Sequence, residues 1–214
     1  GGAPEFYRLR IAGQIINIAA DSTETIGIKA QYPAMATDYE VTGSDDCATI
    51  KKLALMQMGL QAQVNAIAQS PALGVDAVAD SIDVVVERYK NEVKLNYIFK
   101  EPMKASSYFA LFQTISLGNM SSLIFNPRNS EEDVKVFAAV ATSWDTYFPK
   151  AERGENLHNI ALEGMKNVRI LQAEQNQTID ASKINNSGVI EVALPDRNGK
   201  TCKLTSLKGK VVLL

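Results

Sequence analysis

The spacing of apolar residues changes period along this chain, and the change divides it. From Glu5 to Ala30 the pattern is strand-like. Phe6, Arg8 and Arg10 alternate with Tyr7, Leu9 and Ile11, and Ile16 and Ile18 stand among polar or small neighbours. Gly13 and the Asp21-Ser22 pair mark turns, and a further short strand runs from Asp38 to about Thr42. This predicts a small β unit of three or four strands.

At Ser44 the period lengthens to that of a helix. Ser44 is an N-cap, Asp45 and Asp46 follow in the first turn, and Ile50, Leu53, Leu60, Val64 and Ile67 recur near every 3.6 residues. "SPALG" ends this helix. A second is predicted from about Val75 to Lys100, with Val78, Ile82, Val85, Tyr89, Val93 and Tyr97 as its apolar stripe and Pro102 as its stop. "KASSYFALFQTIS" reads as a shorter helix halted by Gly118-Asn119. A fourth is capped by Ser130, opens with Glu131, Glu132 and Asp133, and stops near Pro149. The last covers "ERGENLHNIALEGMKNVRILQAEQNQ", with Leu157, Ile160, Ala161, Met165, Val168 and Leu171 on one face. The short connection across Pro149 predicts that these two helices pack antiparallel.

Beyond Gln175 the composition turns to Asn, Gln, Ser, Thr and Asp, as in a linker, until a second strand-like pattern begins. Val192 and Leu194 lead into a turn from Asp196 to Gly199, and a strand follows through Cys202 and Leu204. After a Leu207-Lys208-Gly209 turn comes the apolar run Val211–Leu214. The predicted fold class is therefore α+β: a small N-terminal β domain (1–43), a helical domain of about five helices (44–174), a linker (175–188) and a β-hairpin segment (189–214).

Composition narrows the function classes. The 214 residues are 46% hydrophobic and 21% charged with a net charge of -2, ordinary for a globular protein and without the basic patch that nucleic acid requires. No apolar run approaches the ~18 residues of a membrane-spanning helix. The opening "GGAP" reads as a processed or tagged start rather than a signal peptide. Two cysteines, Cys47 and Cys202, form neither a disulfide framework nor a C-x-x-C.

The tail carries a resemblance. Leu194, Pro195, Asp196, Gly199, Lys200, Leu204, Ser206 to Lys210 and Val211 to Leu214 follow the order "LPDxxGK", "LxSLKGK", "VVLL". In this they resemble the opening of a thioredoxin-like domain of the TlpA/ResA type, within the alkyl-hydroperoxide-reductase-like branch of thiol-disulfide oxidoreductases. The match covers about the last 25 residues. Such domains continue into a C-x-x-C, so the resemblance implies an N-terminal piece of a longer oxidoreductase that ends short of the catalytic dithiol. The region from Phe6 to Arg169, with its "VTGS" step and "FPKAERGENLHNIALEGMKNVR", is more loosely similar to N-terminal regions of envelope oxidoreductases of Gram-negative anaerobes, often lipoproteins facing the periplasm. Neither resemblance transfers a catalytic, cofactor-binding or metal-ligating residue onto this chain.

Individual residues offer chemistry, each beside a plainer reading. Cys47 stands in a helix first turn, where backbone amides favour a thiolate, but Asp45 and Asp46 oppose that and a packed small residue is the simpler assignment. Cys202 lies on the tail hairpin between Thr201 and Lys203, and a Cys47–Cys202 disulfide would have to order the linker, at ~1–2 kcal/mol per residue fixed. His158, the one histidine, falls one step off its helix stripe, and no G-x-S-x-G elbow exists to make it a hydrolase base. A zinc site built on it would need ligands brought from afar. Glu131, Glu132 and Asp133 could mimic a metal cluster, but complement the helix dipole where they stand. Trp144, Tyr147 and Phe148 could present a client-binding surface, although aromatics at a helix end are more often core.

The resulting expectation is an accessory region that positions or dimerises an envelope thiol-disulfide oxidoreductase, or binds its clients, with no activity of its own. Client or redox-partner proteins and a second copy of the chain are the expected partners. The alternative is a stand-alone envelope protein-binding module with no redox role.

Overall fold

The computed structural model describes residues 2–72, 74–176, 193–195 and 200–203. The chain is α+β: α-helices and two-stranded antiparallel sheets, with two compact units divided within the last helix, Gly1–Val168 and Arg169–Leu214.

Strand β1 (Glu5–Ile11) and β2 (Gln14–Ala20) form a hairpin in which Arg8 faces Asn17 and Leu9 faces Ile16. The turn residues Ala12 and Gly13 both have positive φ (48° and 81°), the arrangement that matches the twist of the flanking strands. Strand β3 (Gly27–Ala30) pairs with β4 (Tyr39–Thr42) in a separate sheet.

Helix α1 (Asp45–Ala68) starts where expected, with the Ser44 hydroxyl accepting the Cys47 N–H at 3.3 Å. Helix α2 (Val75–Val93) buries Tyr89 and Val93 and runs into a π-helical turn at Lys94–Ile98, so helical geometry covers most of the predicted span. The Phe99 amide reaches back five residues to the Lys94 carbonyl at 2.9 Å. The Ser107 hydroxyl then donates toward the Tyr97 and Glu101 carbonyls at 3.3 and 2.9 Å, satisfying backbone near the helix end.

Helix α3 is shorter than the sequence pattern suggests. It spans Ala105–Leu111, and its N-terminus is capped from another helix: Asp46 accepts the amides of Ala105 and Ser106 (3.3 and 3.0 Å) and the Ser106 hydroxyl (2.7 Å). The residues expected to continue it form a strand, β5 (Thr114–Leu117), which turns at Gly118-Asn119 and pairs with β6 (Met120–Leu123). Glutamines of α1 explain the difference. Gln61 exchanges two 2.8 Å hydrogen bonds with the Ser116 backbone, and Gln57 donates to the Thr114 carbonyl at 2.7 Å. These side chains satisfy strand backbone at an edge, while β-branched Thr114 and Ile115 suit the extended chain.

Helices α4 (Glu131–Tyr147) and α5 (Glu152–Asn176) pack antiparallel through residue 168. Gly154 lies against Trp144 and Asp145, whereas Gly164 lies against Val134 and Pro127. A Cβ on Gly164 would fall 2.5 Å from the Pro127 carbonyl oxygen, so the close approach requires glycine there. This contact sets the buried face of α5: Leu157, Ala161, Gly164 and Val168, spaced four, three and four residues apart. Ile160 is half-buried beside it, and Met165 and Leu171 are exposed (38% and 39%), which corrects the broader face expected from hydropathy.

One cluster forms the main core. It joins Leu53, Leu60 and Val64 of α1, Tyr89 and Val93 of α2, Val136, Phe137, Val140 and Trp144 of α4, and Leu157 and Ala161 of α5. The β1–β2 hairpin reaches the helices through Ala19, packed with Ile50 and Ala105, and through Phe6.

In the second unit, β7 (Ala193–Pro195) pairs antiparallel with β8 (Thr201–Lys203), with Leu194 opposite Cys202. This is the hairpin expected around the Asp196–Gly199 turn. The predicted linker begins inside α5, since Gln175 and Asn176 are helical. Its residues 177–188, the turn residues 196–199, and the run Val211–Leu214 lie outside the described residues.

Candidate cleft and its lining

A cleft of about 760 Å³ opens in the first unit where β1–β2, β4, α1, α3 and the start of α5 meet. A smaller cavity of about 290 Å³ adjoins it, and Tyr108, Arg153 and Asn156 line both.

Tyr108 is the hub of an aromatic cluster beside the cleft. Its ring centroid lies 5.0 Å from Phe6, 4.9 Å from Phe112 and 4.8 Å from Trp144, all tilted arrangements favoured by ring quadrupoles. Phe112 continues edge-on to Phe137 at 5.8 Å. Phe6 reaches the cluster because strand alternation turns Phe6, Arg8 and their cross-strand partners to one face of the hairpin.

Arg153 lies over these rings. Its guanidinium is 5.1 Å from the Phe6 centroid and 5.9 Å from that of Tyr108, and one amino group donates to Glu5 at 2.8 Å. The Glu5 hydrogen bond is the chief cause that raises its pKa above the ordinary arginine value, so it remains cationic. Its Nε is buried with no partner among the described residues. A cation in a helix first turn opposes the helix dipole. That misfit was the available sequence sign that Arg153 answers to something other than its own helix.

The Gln113 side chain is held in place. It accepts the Tyr89 hydroxyl at 2.5 Å and donates to the Leu53 carbonyl at 3.0 Å. Burial raises the Tyr89 pKa well above its usual range. On the far wall, Tyr39 is pushed up to about 12, first by burial and then by Cys47. Both phenols are therefore neutral donors at physiological pH. Among the described residues the lining contains arginines, amides, aromatic and aliphatic side chains and Thr114, but no carboxylate, histidine, lysine or cysteine. It can hold a ligand by stacking, hydrogen bonding and charge, but lacks the usual nucleophile–base pair.

The residues singled out by sequence lie elsewhere. Cys47 is buried (1% exposed), and its thiol donates to the Ala19 carbonyl at 3.0 Å, which is the packed assignment. Cys202 has its backbone in β8, and its side chain lies outside the described residues. His158 is partly exposed and contacts the Asp145 carboxylate of α4. Glu131 and Glu132 pair with Lys135 at the surface.

Asp133 goes further than the dipole reading. It is buried, forms a 2.8 Å ion pair with Lys90 of α2, and accepts the Asn126 amide at 2.8 Å. Burial alone would lower the Lys90 pKa, but the hydrogen bonds to Asp133 and Glu87 outweigh it and raise the value. Trp144 is fully buried, with Phe148 stacked edge-on at 5.2 Å and Tyr147 exposed, so the tryptophan belongs to the core. Among the described residues no group of three or more His, Cys, Asp or Glu could hold a metal ion, and no helix is long and apolar enough to cross a membrane. In comparisons with known proteins, no family model, curated protein or solved structure matches this chain.

Proposed function

We propose that this chain is an accessory, client-binding region of an envelope thiol-disulfide oxidoreductase, facing the periplasm and, in its native setting, tethered by a lipid. The observation that carries the binding role is the cleft, whose lining suits recognition and offers no nucleophile–base pair. The redox connection rests on the resemblance of Leu194–Lys200 and Leu204–Leu214 to a thioredoxin-like opener. In this reading the dithiol belongs to a domain downstream of Leu214, and the helical unit presents protein substrates to it.

The coding sequence after Leu214 tests the redox half directly. A C-x-x-C within about 15 codons supports it. A stop codon there overturns it and leaves a protein-binding module without redox chemistry.

A further inference from the structure

Resting on the client-binding reading above, we propose that the cleft takes an extended peptide segment, with an acidic side chain seated between Arg8 and Arg153 and an apolar side chain on the aromatic cluster. Charge complementarity is the first ground. Both arginines line the larger cavity, and among the described residues no carboxylate does. Arg153 is already engaged by Glu5 on the side of the smaller cavity, whereas the Arg8 guanidinium has no ion pair among the described residues. An incoming carboxylate would give Arg8 the charged partner it lacks.

The second ground is the pair of unused amides. Asn17 faces Arg8 across the hairpin, and Asn156 lies three residues beyond Arg153 on α5. Neither side chain makes a hydrogen bond among the described residues. Each offers a carbonyl and an NH₂ group, the combination that pairs with both polar atoms of a peptide unit. Between these polar groups, Phe112 (36% exposed) and Met58 (42% exposed) present apolar surface for a side chain. The two cavities share Tyr108, Arg153 and Asn156, so a peptide can continue from one into the other, and Glu5 and Glu152 in the smaller cavity confine the acidic side chain to the larger one.

The test uses the whole chain, isotopically labelled, and NMR titration with two capped pentapeptides, acetyl-Gly-Glu-Phe-Glu-Gly-amide and acetyl-Gly-Gln-Phe-Gln-Gly-amide. The acidic peptide is expected to shift the side-chain signals of Arg8, Asn17 and Asn156 saturably, binding about tenfold more tightly than the neutral one. That preference should shrink as salt is raised. Arg8→Gln, at an exposed strand position, should leave the amide spectrum folded and bring the two peptides to near parity. Equal affinities in the wild-type chain, saturable shifts confined to another surface, or a preference that survives Arg8→Gln would each overturn the proposal. So would sodium acetate alone reproducing the shifts at the same affinity, since the site would then recognise a free carboxylate. Peptide binding and the coding-sequence result are independent, so failure of one does not mimic failure of the other.

Discussion

The β1–β2 hairpin and the α4–α5 pair are both amphipathic in sequence, but they place their apolar residues differently. On α4, Val136, Phe137, Val140 and Trp144 are buried to within 1% of full enclosure, and α5 covers them with Leu157 and Ala161. On β1, Tyr7, Leu9 and Ile11 remain 56%, 43% and 51% exposed, on the face opposite Phe6 and Arg8. A two-stranded hairpin is marginal by itself. This one is held by Ala19 against Ile50, Phe6 against Tyr108, the Cys47 thiol on the Ala19 carbonyl and the Glu5–Arg153 ion pair. Core stability therefore resides in the helices, while the hairpin lines the cleft and can open at lower cost.

The largest effect that sharpens this contrast is expected at Asp133. Asp133→Ala leaves the Lys90 ammonium, in a site where its side chain is 12% exposed, with only the solvent-exposed Glu87 as partner, and removes the acceptor of the Asn126 amide. Breaking one partner of a buried pair costs about 3–5 kcal/mol. Because the folded Lys90 pKa is raised, the pair's contribution is fully present below the ordinary lysine value of 10.5 and is lost only as pH climbs through the higher folded value. The loss in denaturant midpoint should then be the same at about pH 6 and about pH 9. A loss under ~1 kcal/mol would show the pair to be solvated like a surface bridge.

Leu157→Ala comes next. Leu157 is fully enclosed in the main core, and large-to-small changes there cost about 2–5 kcal/mol. Leu171→Ala, at 39% exposure, should stay within about 0.5 kcal/mol. Urea denaturation of both variants reads the difference; equal losses would place the α5 face wrongly.

Gly164→Ala should cost about 1–3 kcal/mol, because its Cβ would meet backbone at Pro127 and Val134 Cγ2 at 2.8 Å. A neutral or stabilising result in thermal melts would mean that α4 and α5 can separate there without penalty.

How far the sequence revealed this arrangement follows from the reach of each interaction. The caps at Ser44 and Ser130 and the buried Tyr89 and Val93 of the α2 stripe were legible because their signals lie within one helix, while Val78, Ile82, Val85 and Tyr97 are half-buried. The β5 strand was not, because Gln57 and Gln61 act on backbone 55 or more residues away. Asp133 read as a capping acid because Lys90 is 43 residues distant. Met165 and Leu171 looked like core until Gly164 fixed which face approaches α4. The cleft gathers Phe6, Arg8, Tyr108 and Arg153 from three distant segments, and only the misplaced first-turn cation at Arg153 hinted at it.

The smallest expected effect tests the hairpin side of the contrast. Ile11 stands opposite Gln14 and is 51% exposed, so Ile11→Ser removes little surface that folding had taken from water. Exposed substitutions of this kind usually fall within about 0.5 kcal/mol. The thermal midpoint should hold, and β1 amides should exchange faster than those of α4 in both proteins, through local opening. A loss above about 1 kcal/mol would show that something covers Tyr7, Leu9 and Ile11 in solution. A second copy of the chain would reveal itself by a wild-type melting temperature that rises with protein concentration, and by loss of that dependence in Ile11→Ser. If the midpoint instead falls equally at every concentration, the hairpin face is part of the cooperative core, and the division between a stable helical region and a lightly held hairpin fails.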